Sequence, residues 1–139
     1  AALTLSYYPD LDDVVQAHVD ALAEGPVSRH LVILGALRDP KAVKAVEALI
    51  THADAELRAL AAWALGMIGD RATAPTLVGM LSDGTPEVAA EAALALGRLG
   101  HDGARTRLLQ MARRAAPELQ DAADRGLALL EFSALLLVE

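Results

Sequence analysis

Leu65-Gly66-Met67-Ile68-Gly69-Asp70 returns thirty-one residues later as Leu96-Gly97-Arg98-Leu99-Gly100-His101. A weaker copy stands thirty-one residues upstream, Leu34-Gly35-Ala36-Leu37-Arg38-Asp39, keeping the first glycine, the apolar position and the aspartate. Three copies in phase make the chain an array of one small unit, and the period of that unit decides the architecture before any single residue does.

Reading outward from the best copy, residues 55–68 carry Leu57, Leu60, Ala61, Ala64, Leu65 and Ile68 at the i, i+3, i+4, i+7 spacing of an amphipathic helix. Gly69 stops it, because glycine enters the left-handed conformation without a Cβ penalty, and Asp70 is placed to cap the next helix. That second helix, over 72–81, turns Leu77, Met80 and Leu81 inward and tolerates Pro75 in its first turn. Ser82-Asp83-Gly84-Thr85-Pro86 closes the unit. The same shift predicts second helices at 40–53, with Val46, Leu49 and Ile50 inward, and at 102–115, with Leu108, Met111 and Ala112 inward. It also places a half-unit at 1–24, whose helix over 9–24 turns in Leu11, Val14, Val15, His18, Val19 and Leu22. The expected layout is one domain over 1–139: that half-unit, pairs at about 26–53, 55–82 and 86–115, and a terminal helix over 117–138. One hairpin cannot shield both sides of its apolar surface, so neighbouring units must stack into a continuous core. The fold class is therefore all-α, an α-solenoid. Gly66 and Gly97 fall inside helices, where glycine costs about 1 kcal/mol relative to alanine; close approach of the adjacent helix is the expected compensation.

Composition agrees. The chain has 139 residues and is 54% hydrophobic, chiefly Ala, Leu and Val, with one Trp, two Tyr and one Phe, which suits close-packed helices better than sheets. Without cysteine there is no disulfide, thiolate metal site or thiol nucleophile. No apolar run approaches the roughly 20 residues of a bilayer span, so no membrane partner is expected and the cytoplasm is the default location. A net charge of −7 repels phosphate backbones and disfavours nucleic acid as a partner.

The segments Ala62-Trp63-Ala64-Leu65-Gly66-Met67-Ile68-Gly69-Asp70 and Ala93-Leu94-Ala95-Leu96-Gly97-Arg98-Leu99-Gly100-His101 resemble HEAT repeats of the short bacterial type found in phycobilisome-lyase-related proteins and armadillo-like scaffolds. The resemblance spans about residues 26–131 and implies a right-handed superhelix of helical hairpins. It departs at Ala128-Leu129-Leu130-Glu131, where the glycines do not recur and the last helix is expected to run on. The apolar ending Phe132-Ser133-Ala134-Leu135-Leu136-Leu137-Val138, where an array normally carries a polar cap, suggests a piece of a longer array or self-association through the C-terminal helix.

No catalytic, cofactor or metal site is expected from the residues. The four histidines show neither His-x-x-x-His nor His-Glu-x-x-His spacing. His18 reads as a core histidine, and His52 and His101 as partners of free backbone groups at helix ends. One enzyme of this repeat type, deoxyhypusine hydroxylase, holds a di-iron centre through His-Glu pairs at helix starts; this sequence has no His-Glu dipeptide. Both Gly-x-x-Gly pairs end helices instead of opening one after a strand, which argues against phosphate binding. Asp39, Asp54, Asp70, Glu56 and Glu87 sit near helix starts, where the dipole favours them. Trp63 lies beside the inward positions of its helix and is expected to pack against the neighbouring unit. The chain thus reads as not an enzyme.

What remains is a protein-protein interaction scaffold. In the family it resembles, the second helices line the concave face and partners dock there. The outward positions in this register are Lys44, Ala45, Ala48 and Thr51, then Thr76, Gly79 and Ser82, then Arg107, Gln110 and Arg113. Lys44, Thr76, Arg107, Gln110 and Arg113 are the candidate contacts to another protein or peptide. Charge runs from −5 over 9–24 (Asp10, Asp12, Asp13, Asp20, Glu24) to +3 over 102–114 (four arginines less Asp102), a gradient that would orient a bipolar partner. The resemblance leaves two alternatives: a bilin lyase or isomerase subunit, and a nucleic-acid binder like the HEAT-like glycosylases.

Overall fold

The computed structural model describes residues 10–25, 28–114 and 116–136, and all regular elements among them are helical. In chain order they are α1 (Leu11–Glu24), α2 (Ser28–Leu37), α3 (Val43–Glu47), α4 (Ala55–Ile68), α5 (Ala74–Met80), α6 (Pro86–Leu99), α7 (Arg105–Arg114) and α8 (Pro117–Leu136). The first helices of successive units, α2, α4, α6 and α8, lie side by side, and the second helices α3, α5 and α7 pack against the first helix of the unit after their own. The described residues form an all-α solenoid.

The period read from the sequence reappears as burial. Leu34, Leu65 and Leu96 are each fully buried, as are Val46, Leu77 and Leu108, and Ala42, Thr73 and Ala104 keep the same step. Full burial of one such leucine contributes about 1.5–3 kcal/mol, so the repeated positions carry a large part of the core. Thr73, the one buried polar residue named among these, donates its hydroxyl to the Asp70 carbonyl at 2.7 Å and so enters the core satisfied.

Turn chemistry sets each hairpin. Asp54 accepts from the Glu56 amide and opens α4, and Gly69 closes it at φ 79°; Gly100 closes α6 at φ 66°. The second helices differ from expectation. Instead of single helices over 40–53, 72–81 and 102–115, each begins with a 3₁₀ turn, Pro40–Ala42, Arg71–Thr73 and Asp102–Ala104. Asp39 and Asp70 cap the first two, each side chain accepting from the amide two residues on. After Glu47 the chain again uses i to i+3 bonds, Leu49 to Val46 and Ile50 to Glu47, and α3 is only five residues long. Among the other expectations, Pro9, residues 26–27 and 137–138, Ala115 and the opening segment 1–8 lie outside the described residues.

Both interior glycines meet the neighbouring first helix. A Cβ on Gly66 would stand 2.7 Å from Ala95 Cβ and 2.8 Å from its Cα; one on Gly97 would stand 2.6 Å from the Gly126 carbonyl oxygen. The first helices therefore approach nearly backbone to backbone. Between units, Arg58 staples the loops: it donates from Nε and Nη2 to both carboxylate oxygens of Asp83 (2.9 and 3.1 Å) and from Nη1 to the His52 carbonyl at 2.7 Å. The paired guanidinium holds the Asp83 carboxyl below the usual carboxylate range. α8 runs without a break over the positions where the glycines fail to recur.

Candidate functional site

On the second-helix face, the five expected contacts separate into two groups. Thr76 and Arg107 are engaged between units: Thr76 donates to Glu47 Oε1 at 3.3 Å, and Arg107 Nη2 donates to Ser82 Oγ at 2.7 Å. These bonds tie α3 to α5 and the end of α5 to α7. Lys44, Gln110 and Arg113 are exposed, and Gln110 and Arg113 border a shallow hollow of about 290 Å³ with Thr106 and Leu109. Thr76 borders another of about 250 Å³ with Thr51, Gly79 and Ser82. The expected charge gradient is partly neutralised, since Asp12 pairs with Lys41 at 2.8 Å and Arg105 stands 3.9 Å from both Asp102 and Glu131.

The first-helix face carries a more apolar hollow. Glu56, Ala59, Leu60 and Trp63 repeat at i, i+3, i+4, i+7 along α4 and so form one stripe. With Val32 of α2 and Glu91 of α6 they line a mostly apolar hollow of about 310 Å³. Two features organise it. The Trp63 ring rests over Gly35 of α2, with Cζ3 2.5 Å from the position a Cβ there would take, so the missing side chain seats the indole. Glu56 accepts from Ser28 Oγ at 3.5 Å, but Glu91 Oε2, shielded from solvent, has no hydrogen-bond partner among the described residues. A shielded carboxylate oxygen without a donor is costly.

One unit further along the same face, Leu94 and Arg98 of α6 and Arg125, Ala128 and Leu129 of α8 line a second hollow of about 390 Å³. Its charge is opposite to that of the first. Trp63 packs against the neighbouring unit as expected, on Gly35, whereas the hollow beside it draws on α2, α4 and α6 and no local spacing announces it.

The histidines behave partly as expected. His52 accepts from the Asp54 amide at 3.0 Å, as a helix-end histidine should. His18, however, meets His30 across α1 and α2, with the two Nδ1 atoms 2.8 Å apart. Twelve residues separate the pair, so no local spacing announces it. Burial, the nearby Arg29 and His18 together hold the His30 imidazole below its ordinary pKa. Among the described residues, no three His, Cys, Asp or Glu side chains converge to hold a metal ion.

A family model described as HEAT repeats matches residues 28–87 and 42–128. No curated protein sequence matches the chain. Among solved structures, human deoxyhypusine hydroxylase in complex with glycerol is similar, with 25% identity and a TM-score of 0.74 over 92% of this chain and 48% of the hydroxylase chain. The present chain thus spans about half the length of that structure. This similarity overturns the expectation that the chain is not an enzyme, because an enzyme shares its fold over nearly all of its length. The described side chains do not fit a di-iron centre.

Proposed function

The chain belongs to the HEAT repeat family, and on that footing we propose that it is a helical-repeat scaffold that docks another polypeptide along its first-helix face. The observation that supports this reading is the hollow at Trp63. It joins an aromatic wall, an apolar floor and the carboxylates of Glu56 and Glu91, an anchor pocket with a few convergent polar groups. Arg98, exposed on the same helix as Glu91, makes no ion pair among the described residues and extends the polar rim.

A second reading keeps the partner on the second-helix face. It is favoured by the exposure of Lys44, Gln110 and Arg113, three polar side chains aligned by the repeat across α3 and α7. Affinity capture from the source cell with two charge-reversed chains separates the two. Capture lost with E91K/R98E and kept with R107E/R113E is the result expected; the reverse pattern moves the partner to the second helices.

A further inference from the structure

Two hollows of opposite charge share one stripe of α6, and from their spacing we infer that the first-helix face reads a short bipolar segment of an extended partner chain: an arginine and a carboxylate three positions apart. The inference rests on the docking role proposed for that face and specifies the chemistry of what docks.

The acidic hollow sets one end. Glu56 reaches it from α4 and Glu91 from α6, with Trp63 as part of its wall. Two carboxylates lining one hollow favour a charged donor, since bonds to ionised groups are about twice as strong as neutral ones. A guanidinium suits the place better than an ammonium. It is planar and stacks on an indole, and its five N–H groups serve carboxylates arriving from two helices, whereas an ammonium acts as a point charge. Val32, Ala59 and Leu60 offer apolar surface to the methylene stem.

The basic hollow sets the other end. Arg98 is exposed and makes no ion pair among the described residues, and Arg125 is held only at 3.7 Å by Asp121, one turn earlier on α8. Leu94 and Leu129 flank them. A carboxylate can accept from both arginines without breaking a buried pair.

The distance between the ends sets the spacing. Glu91, Leu94 and Arg98 stand at i, i+3 and i+7 of α6, so the backbone positions that carry the two charges are separated by roughly 10 Å along the helix. In a polyproline II chain, residues i and i+3 point to the same side and lie about 9 Å apart. A β-strand puts same-side residues about 7 or 13 Å apart and matches less well. The segment is therefore Arg-x-x-Glu or its reverse in a polyproline II conformation.

Trp63 is the chain's one tryptophan, so its fluorescence reports on the acidic hollow directly. The intact chain is titrated with acetyl-Arg-Pro-Pro-Glu-amide and acetyl-Glu-Pro-Pro-Arg-amide. At least one order should give a saturable change in Trp63 emission. Citrulline for arginine should weaken binding about tenfold or more, the scale of lost hydrogen bonds to a charged group, and lysine for arginine should weaken it as well. E91Q should do the same, and R98E, an exposed change, should turn preference from the glutamate peptide to one ending in lysine. No saturable change with either order, or equal binding of the citrulline or lysine peptide, overturns the inference. If the peptides fail while E91K/R98E still abolishes capture of the cellular partner, the docking face stands and the arginine-carboxylate code does not.

Discussion

The ring of Trp63 occupies the space that a side chain on Gly35 would need, 2.5 Å from the site of its Cβ. The three repeated glycines thus have two different reasons to be glycine. Gly66 and Gly97 admit a neighbouring backbone, whereas Gly35 admits an indole that forms one wall of the candidate site. G35A forces that ring outward. Trp63 emission should move to longer wavelength and stability should fall by about 1 kcal/mol or more, the usual cost of overpacking. Fluorescence and urea denaturation measure both.

Backbone contact is less forgiving than a ring that can swing. G66A and G97A each gain about 1 kcal/mol of helix propensity, yet the added carbon meets Ala95 Cα at 2.8 Å or the Gly126 carbonyl at 2.6 Å. Overpacking of this type costs about 1–3 kcal/mol, so both variants should unfold at lower urea. G79A is the control. Nothing stands within 4 Å of its Cβ in α5, and it should be more stable than the parent.

Arg38 takes the place of Gly69 and Gly100 in the earliest copy, and it adopts their conformation at φ 56°. A residue with a Cβ pays roughly 1–2 kcal/mol in that region. R38G should therefore raise the unfolding midpoint, with a net gain of about 0.5–1 kcal/mol after the added flexibility of the unfolded chain is counted. A lower midpoint would mean that the arginine side chain holds more than its backbone loses.

The His18–His30 contact makes the α1–α2 junction acid-sensitive. Only one proton can lie between two Nδ1 atoms 2.8 Å apart, and the folded pKa of His30 is depressed below its ordinary value of 6.5. Above that value both states are neutral at His30 and the junction is fully stable. As pH falls from there through the folded pKa, the unfolded chain binds the proton first and stability is lost. Denaturation midpoints should drop between pH 7.5 and pH 5.5, and H30Q should flatten that part of the curve.

The repeat, the helix ranges of α4 and α6 and the cap residues were legible because each obeys local rules: a period of thirty-one, apolar spacing, and aspartate and glycine at hairpin turns. The 3₁₀ starts of the second helices were not, since an aspartate before an apolar run announces a cap equally well for either helix type. The candidate site was hidden for another reason. Val32, Trp63 and Glu91 come from three units and meet only when the first helices stack, and Gly35, which looks like a copy of Gly66, works through a side chain on the next unit's first helix. Arrays place their surfaces between units, where no local spacing reports them.

Amide and indole NMR shifts of the full chain, recorded as the Arg-Pro-Pro-Glu peptide or its reverse is added, test the central claim most directly. Perturbations gathered on Trp63, Glu91 and Arg98 along α4 and α6 are the outcome this account requires. Perturbations confined to Thr76, Arg107 and Arg113 on α5 and α7, or none at all with either peptide, would contradict it.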